Sequence, residues 1–123
     1  MTAAGALYSD VIRERWRRPR FRGDLPDATA VAEDVNPLCG DRVRVFVRVE
    51  QGTVVSARFV GDACAICLAS ADVTAELAQG RSVAAAVETA DVLTALQAEI
   101  RPARMRCVTL PVSVLGMALG RAR

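Results

Sequence analysis

An alternating run of valines constrains the fold more than any other feature of the sequence. In RVRVFVRVE, residues 42–50, valine occupies every odd position, which is the two-residue period of a strand with one buried face. The run TVVSARFVG, residues 53–61, continues this alternation with Val55, Ala57 and Phe59. The two runs therefore predict neighbouring strands that share one apolar face.

The short segment between these runs predicts a hairpin with a three-residue loop at 50–52. This loop length pairs Val49 with Thr53 and Val45 with Ala57, so that residues of the same face stand opposite one another.

Helical periodicity, capping residues and prolines divide the rest of the chain into further elements. We predict a strand at 28–35 and helices at 4–18, 63–78 (capped by Asp62), 82–89, 91–100 and 107–119, with Pro111 near the start of the last. A helix, then antiparallel strands, then helices is typical of an α+β domain. We expect a small three-stranded antiparallel sheet with helices packed on one face, in one domain over 1–123.

Composition narrows the class of protein. Hydrophobic residues make up 52% of the 123 residues, enough for a core, but charged residues interrupt every apolar run before the length that spans a bilayer. Asp10 and Arg13 interrupt the N-terminal segment before a signal-like stretch forms, so we expect a cytoplasmic protein. A net charge of +2 does not indicate nucleic-acid binding.

Six arginines cluster in RERWRRPRFR, residues 13–22. The simplest interpretation is a solvated helix end. An alternative is a docking face for an acidic protein partner. Nucleic-acid binding ranks third, because no recognised nucleic-acid motif accompanies the cluster.

Three of the four cysteines lie at the ends of predicted elements. Cys39 lies in a turn before a strand, and Cys64 and Cys107 lie at helix N-termini, where the dipole lowers the thiol pKa and favours thiolate. Without a signal peptide, clustered cysteines more often bind metal or react than form disulfides. Histidine is absent, so a metal site must use thiolates and carboxylates.

Asp41 completes a set of three sulfurs and one oxygen with these cysteines. Such a set suits Zn²⁺ or the iron of a small cluster, and the oxygen ligand makes the site more exchangeable. The amide of Gly40 could approach the ligands and donate a hydrogen bond to sulfur. The spacing does not match a zinc ribbon, and at this point unrelated thiols remain an alternative.

Several motifs occur in one order along most of the chain: LY at 7–8, VI at 11–12, PR at 19–20, NPLCGD at 36–41, ARF at 57–59, GDACAICLASA at 61–71 and RMRCVTLP at 104–111. With them the chain resembles the U-type iron–sulfur cluster scaffold family, which comprises IscU, SufU and the N-terminal domain of NifU. The resemblance implies the SufE/IscU-like fold. It also implies that Cys39, Asp41, Cys64 and Cys107 bind zinc or a nascent [2Fe–2S] cluster.

The resemblance implies a scaffold rather than an enzyme. It would receive sulfur from a cysteine desulfurase and iron from a donor, build a [2Fe–2S] cluster and pass it to apoproteins. The alternative is a zinc-dependent sulfurtransferase that stimulates the desulfurase and accepts persulfide sulfur, with Cys39 as the candidate acceptor. A purely structural zinc site is a third hypothesis.

The sequence departs from both main subtypes of the family. Arg106 precedes the third cysteine, where IscU proteins have histidine and SufU proteins have lysine or arginine. The segment 80–103 leaves no room for the insertion typical of SufU. The segment IRPAR at 100–104 only partly matches the LPPVK motif of IscU, which argues against a dedicated Hsp70 partner.

Cys67 lies one turn from Cys64, at a position that relatives usually fill with serine or another small residue. It is close enough to be a spare ligand or a disulfide partner. The simpler interpretation is a small residue that faces the sheet. The βαβ context of a thioredoxin-type CxxC motif is missing.

Overall fold

The structure is a computed structural model that describes residues 8–123. Its elements are α1 (Asp10–Arg17), β1 (Ala30–Val35), β2 (Arg42–Glu50), β3 (Thr53–Asp62), α2 (Ala65–Ala78), α3 (Thr89–Leu96), a 3₁₀ turn (Pro102–Arg104) and α4 (Met105–Ala122). The strands form one antiparallel sheet in the order β1-β2-β3. The predicted α+β architecture is confirmed. No helix in the described range 8–123 has the length and apolar character to cross a membrane.

The valine alternation directs one face of the sheet to the core. Val43, Val45 and Val47 are buried, and burial of each such side chain contributes about 2 kcal/mol. Helix α4 packs on β1 and β2, and α2 packs on β3, while α1 and α3 lie outside this pair. The other face carries ion pairs such as Arg44 with Glu33. Helices α2 and α4 therefore cover the valine face.

The predicted hairpin loop and register are wrong. Gln51 and Gly52, with φ of 52° and 76°, form a two-residue turn, so that Glu50 faces Thr53 and Val49 faces Val54. A bulge then skips Val55, and Val45 stands opposite Phe59 instead of Ala57. The bulge exposes Val55 and buries Val54, and it returns Ala57 and Phe59 to the core face.

The predicted helix at 82–89 is also wrong, because this segment pairs with the hairpin. The N–H of Val83 donates to the Gly52 carbonyl at 2.7 Å, and the N–H of Val54 donates to the Arg81 carbonyl at 2.9 Å. These backbone groups are then unavailable for a helix, and the chain stays irregular until α3 begins at Thr89.

Four predicted helix boundaries change in the structure. Helix α1 begins at Asp10 after the cap Ser9, and the predicted residues 4–7 lie outside the described residues. Helix α2 is capped by Cys64, because Asp62 belongs to β3. Helix α3 ends at Leu96, where Gln97 takes a left-handed conformation. Helix α4 begins at Met105, which places Pro111 inside the helix.

A buried carboxylate fastens the N-terminal segment to α2. Asp72 is fully buried, and it accepts hydrogen bonds from the N–H groups of Arg20 and Phe21 at 2.8 Å each. It also pairs with Arg15 at 2.8 Å, and Arg15 in turn contacts Glu76. One side chain thus satisfies three donors that belong to α1 and the loop after it.

Replacing Asp72 tests whether these contacts stabilise the fold. We expect Asp72→Ala to lower the free energy of unfolding by about 3 kcal/mol, because it leaves two backbone donors unpaired and removes one of the two carboxylates that pair with Arg15. Glu76→Ala is the matched control, since the exposed partner should cost less than about 1 kcal/mol. Urea unfolding followed by circular dichroism measures both. Equal losses of unfolding free energy for Asp72→Ala and Glu76→Ala would contradict the stabilising role of the Asp72 contacts.

Candidate metal centre

The turn that precedes β2 separates Cys39 from Asp41. The N–H of Asn36 donates to the Asp41 carbonyl, and the N–H of Gly40 donates to the Asn36 carbonyl, each at 2.7 Å. Gly40 has a φ of +78°, a conformation that glycine adopts without strain. The closed turn exposes Cys39 and buries Asp41. The expected bond from Gly40 to sulfur is absent, since that amide closes the turn.

The N-terminus of α2 meets the Asp41 side chain. Cys64 is the helix cap, and its sulfur accepts a hydrogen bond from the N–H of Cys67 at 3.4 Å. The N–H of Cys64 donates to Oδ1 of Asp41 at 3.0 Å. The positive end of the helix dipole therefore faces a carboxylate and a sulfur together.

Helix α4 brings the third ligand group to the same place. Cys107 lies in its first turn and is 6% exposed. The buried hydroxyl of Ser70 on α2 donates to the carbonyl of Val108 at 2.8 Å, which holds the first turn of α4 against α2. Pro111 has no N–H, so the carbonyl of Cys107 lacks its α-helical donor.

Three of the four predicted ligands converge. One ligand atom from each of Asp41, Cys64 and Cys107 lies within 4.8 Å of the others, the one group of this kind in the described part of the chain. Ligands of a tetrahedral zinc ion lie about 3.8 Å apart, so a small inward shift would close the site. Cys39 does not belong to this group and remains exposed on its turn.

The chemistry of the converging atoms fits a metal ion. Oδ2 of Asp41 is buried and has no hydrogen-bond donor, although Oδ1 of the same carboxylate is bonded to Cys64. A buried carboxylate oxygen without a partner is destabilising unless a cation is present. Two sulfurs and this oxygen suit Zn²⁺ or iron, and Cys39 can supply a further sulfur if its turn moves inward.

Burial, rather than the helix dipole, controls the Cys107 thiol. Desolvation raises its pKa to about 11, and the hydrogen bond from Arg104 offsets only part of this effect. Burial also raises the pKa of the Cys67 thiol. The expected lowering of the thiol pKa is therefore wrong for Cys107, and a metal must displace a proton to bind there.

Arg104, which the sequence analysis did not single out, is the arginine at the thiols. Its guanidinium hydrogen-bonds to the sulfurs of Cys107 and Cys64, and both contacts raise the pKa of Arg104. Arg106 is instead exposed beside Pro37 in a groove between the turn and α4. Arg104 lies three residues before Cys107, a helical spacing that could have identified it.

The three-stranded sheet, the aspartate donor in the turn before β2 and the cysteine donors at the N-termini of α2 and α4 define a small α+β domain with a thiol and carboxylate centre. The chain belongs to the family described as the NifU-like N terminal domain, whose model matches residues 7–121. The family resemblance inferred from the motifs is confirmed.

Relatives from both subtypes match the chain. It is 30% identical over 123 residues to the zinc-dependent sulfurtransferase SufU of Bacillus subtilis, covering 85% of this chain and 83% of that protein. It is 39% identical over 77 residues to the iron–sulfur cluster assembly scaffold protein IscU of Thermotoga maritima, covering 63% of this chain and 54% of that protein.

Solved structures share the fold. A putative iron–sulfur cluster assembly scaffold protein for the SUF system from Fervidobacterium islandicum superposes with a TM-score of 0.79 at 24% identity, over 95% of this chain and 99% of that one. The N-terminal part of a NifU-like protein from Brucella abortus gives a TM-score of 0.78 at 19% identity, over 98% of this chain and 97% of that one. At these identities the likeness establishes the fold.

The arrangement predicts an order of importance among the ligands. We expect Cys64→Ser and Cys107→Ser each to raise the zinc dissociation constant by roughly 100-fold or more. This loss of affinity is larger than the loss expected when a group outside the ligand set is removed. Cys39→Ser should weaken zinc binding by only about tenfold. The conformational entropy lost when the exposed turn becomes ordered offsets part of what the Cys39 sulfur contributes to binding. Anaerobic competition against a chromophoric chelator measures the three dissociation constants.

Ser113→Ala, which changes an α4 residue outside the converging group, is the control for general effects of mutation on α4. A larger loss of zinc affinity for Cys39→Ser than for Cys64→Ser would show that the converging group is not the centre of the site.

Proposed function

We propose that the protein is an iron–sulfur cluster assembly scaffold. Sulfur from a cysteine desulfurase and iron from a donor would be combined into a [2Fe–2S] cluster held by Cys39, Asp41, Cys64 and Cys107. The cluster would then pass to apoproteins, so the protein turns over no small substrate of its own.

The convergence of Asp41, Cys64 and Cys107 carries this proposal. The three donors come from the β1–β2 turn, the start of α2 and the start of α4, and one of them, Asp41, has a buried carboxylate oxygen that lacks a partner. The fourth donor, Cys39, is on an exposed turn. A site with one ligand on an exposed turn and one oxygen ligand suits an iron–sulfur cluster that must enter and leave.

A zinc-dependent sulfurtransferase is the second candidate. Zn²⁺ would be the resident metal, and its charge would hold the thiols as thiolates. Cys39 would accept the persulfide, a role that its exposure favours. The Bacillus subtilis relative of this name also favours it. The missing insertion before Cys107 argues against it.

Anaerobic reconstitution separates the two candidates. With ferrous iron, cysteine and a cysteine desulfurase, the scaffold proposal predicts visible absorption from a cluster that then transfers to an apo-ferredoxin. The sulfurtransferase proposal predicts that the protein keeps zinc and accelerates the desulfurase without forming a cluster. Absence of both outcomes would leave a structural metal site as the surviving hypothesis and overturn the scaffold proposal.

Cys39→Ser sharpens this comparison. A scaffold that loses one cluster ligand should form much less cluster. A sulfurtransferase with the same change should keep its zinc on the converging group but lose the persulfide, detected as added sulfur by mass spectrometry. Wild-type protein assayed in parallel supplies the reference values for the amount of cluster and the amount of persulfide. The zinc content of the variant shows whether the site is intact.

The arginine cluster at 13–22 is our proposed docking surface for the desulfurase. Its members differ in the structure: Arg15 pairs with Asp72 and Glu76, whereas Arg17 and Arg18 are exposed. Exposed charges of one sign accelerate association with an oppositely charged partner and lose this effect in salt. The free arginines at the end of α1 are therefore the members to test.

Charge reversal at Arg17 and Arg18 should weaken the complex with the desulfurase by roughly tenfold at low salt, with a smaller difference at high salt. Reversal at Arg58 and Arg123, two exposed arginines outside the cluster, is the matched control. Surface plasmon resonance at two ionic strengths provides the measurement. Equal effects of the two double variants would remove the docking proposal.

A further inference from the structure

Cys64 and Cys67 form a CxxC pair at the start of α2. Cys64 is the half-buried cap, and Cys67 is the fully buried third residue of the helix. The N–H of Cys67 donates to the sulfur of Cys64 at 3.4 Å, so the Cys64 sulfur already lies against the Cys67 backbone. Residues three apart at a helix start have Cα atoms about 5 Å apart, within the range that a disulfide spans.

Cys67 has no part in the converging ligand group, which consists of Asp41, Cys64 and Cys107. It is nevertheless near the centre, because its N–H donates to the sulfur of Cys64, which is a member of that group. A free thiol is thus buried next to a proposed ligand and has no assigned role in binding.

We propose that Cys64 and Cys67 are a thiol–disulfide switch that removes a ligand from the metal centre on oxidation. The oxidant is a low-molecular-weight disulfide such as oxidised glutathione. The formation of the disulfide rests on the CxxC geometry alone, whereas the release of metal also rests on the proposed function of the site.

The exchange proceeds in two steps that balance. The sulfur of Cys64 attacks the oxidant disulfide, forming a mixed disulfide and expelling one thiolate. The sulfur of Cys67 then attacks the Cys64 sulfur, and the second thiol leaves with the proton of Cys67. Two cysteine thiols are oxidised, one external disulfide is reduced to two thiols, and the centre loses Cys64 as a ligand. A reduced dithiol reverses both steps.

Cys107 is the competing partner for Cys64, since their ligand atoms lie within 4.8 Å. Two observations favour Cys67. The N–H of Cys67 already donates to the Cys64 sulfur at 3.4 Å, which holds that sulfur against the residue that would close the disulfide. Closure within one helical turn also keeps Cys67 beside Cys64 however α2 and α4 move, which gives it the higher effective concentration.

Tryptic mapping distinguishes these partners, because the chain contains no lysine and cleavage occurs only at arginine. Cys64 and Cys67 fall in peptide 59–81, Cys39 in 23–42 and Cys107 in 107–121. Zinc-loaded and metal-free full-length protein are treated with oxidised glutathione, alkylated and digested. The proposal predicts that both samples yield an unalkylated peptide 59–81 that lacks two hydrogen atoms. In the zinc-loaded sample, zinc should be released as this peptide appears and should bind again after treatment with dithiothreitol.

Peptide 59–81 linked to 107–121 or to 23–42, or carrying only glutathione, would overturn the switch. If the internal disulfide forms but the protein never binds zinc, the thiol–disulfide exchange stands, and the release of metal fails together with the proposed metal site. Wild-type mapping therefore separates the two failures without any variant.

Cys67→Ser tests the consequence for the metal. It should load zinc with the wild-type stoichiometry and release it to oxidised glutathione roughly tenfold more slowly, since the internal thiol that completes the exchange is gone. Ser113→Ala, outside the proposed ligand set, is the matched control and should keep both the internal disulfide and the wild-type rate of zinc release. Zinc loss from Cys67→Ser at the wild-type rate would overturn the proposal.

Discussion

The hydrogen bond between the Cys64 amide and the Asp41 carboxylate is the contact on which the site depends. It joins the β1–β2 turn to the N-terminus of α2, two parts of the chain that are separated by the whole β2–β3 hairpin. Oδ1 accepts this bond, whereas Oδ2 of the same carboxylate is buried and has no donor. The fold thus stabilises a carboxylate in a position that is favourable only when a cation is near.

The rest of the architecture supports this junction. Ser70 fastens α4 to α2, and Asp72, two residues further along α2, fastens the N-terminal segment to the same helix. Gly61 allows β3 to approach β2 just before Cys64, since a Cβ there would lie 2.9 Å from the Arg42 carbonyl oxygen. Helix α2 is consequently held from three sides, and its cap, Cys64, belongs to the proposed metal centre.

Local signals allowed much of this to be predicted from the sequence. The valine alternation of β2 identified the sheet, and Cys64, Asp41 and Cys107 were singled out by their positions at element ends. The pairing of 80–83 with the hairpin was missed, because it depends on contacts between segments distant in the sequence. The bulge at Val55 was missed, because a three-residue loop keeps the apolar faces opposed without one. Neither the burial of Cys107 nor the position of Arg104 against two sulfurs can be read from a helical period alone.

The account requires Cys39 to join three donors that are already close together. X-ray absorption spectroscopy of the zinc-loaded protein tests this most directly, because it counts sulfur and oxygen neighbours of the metal. We predict three sulfurs at about 2.3 Å and one lighter ligand at about 2.0 Å. Two or fewer sulfurs would contradict the account, since Cys39 would then remain outside a site that the other three residues form without it.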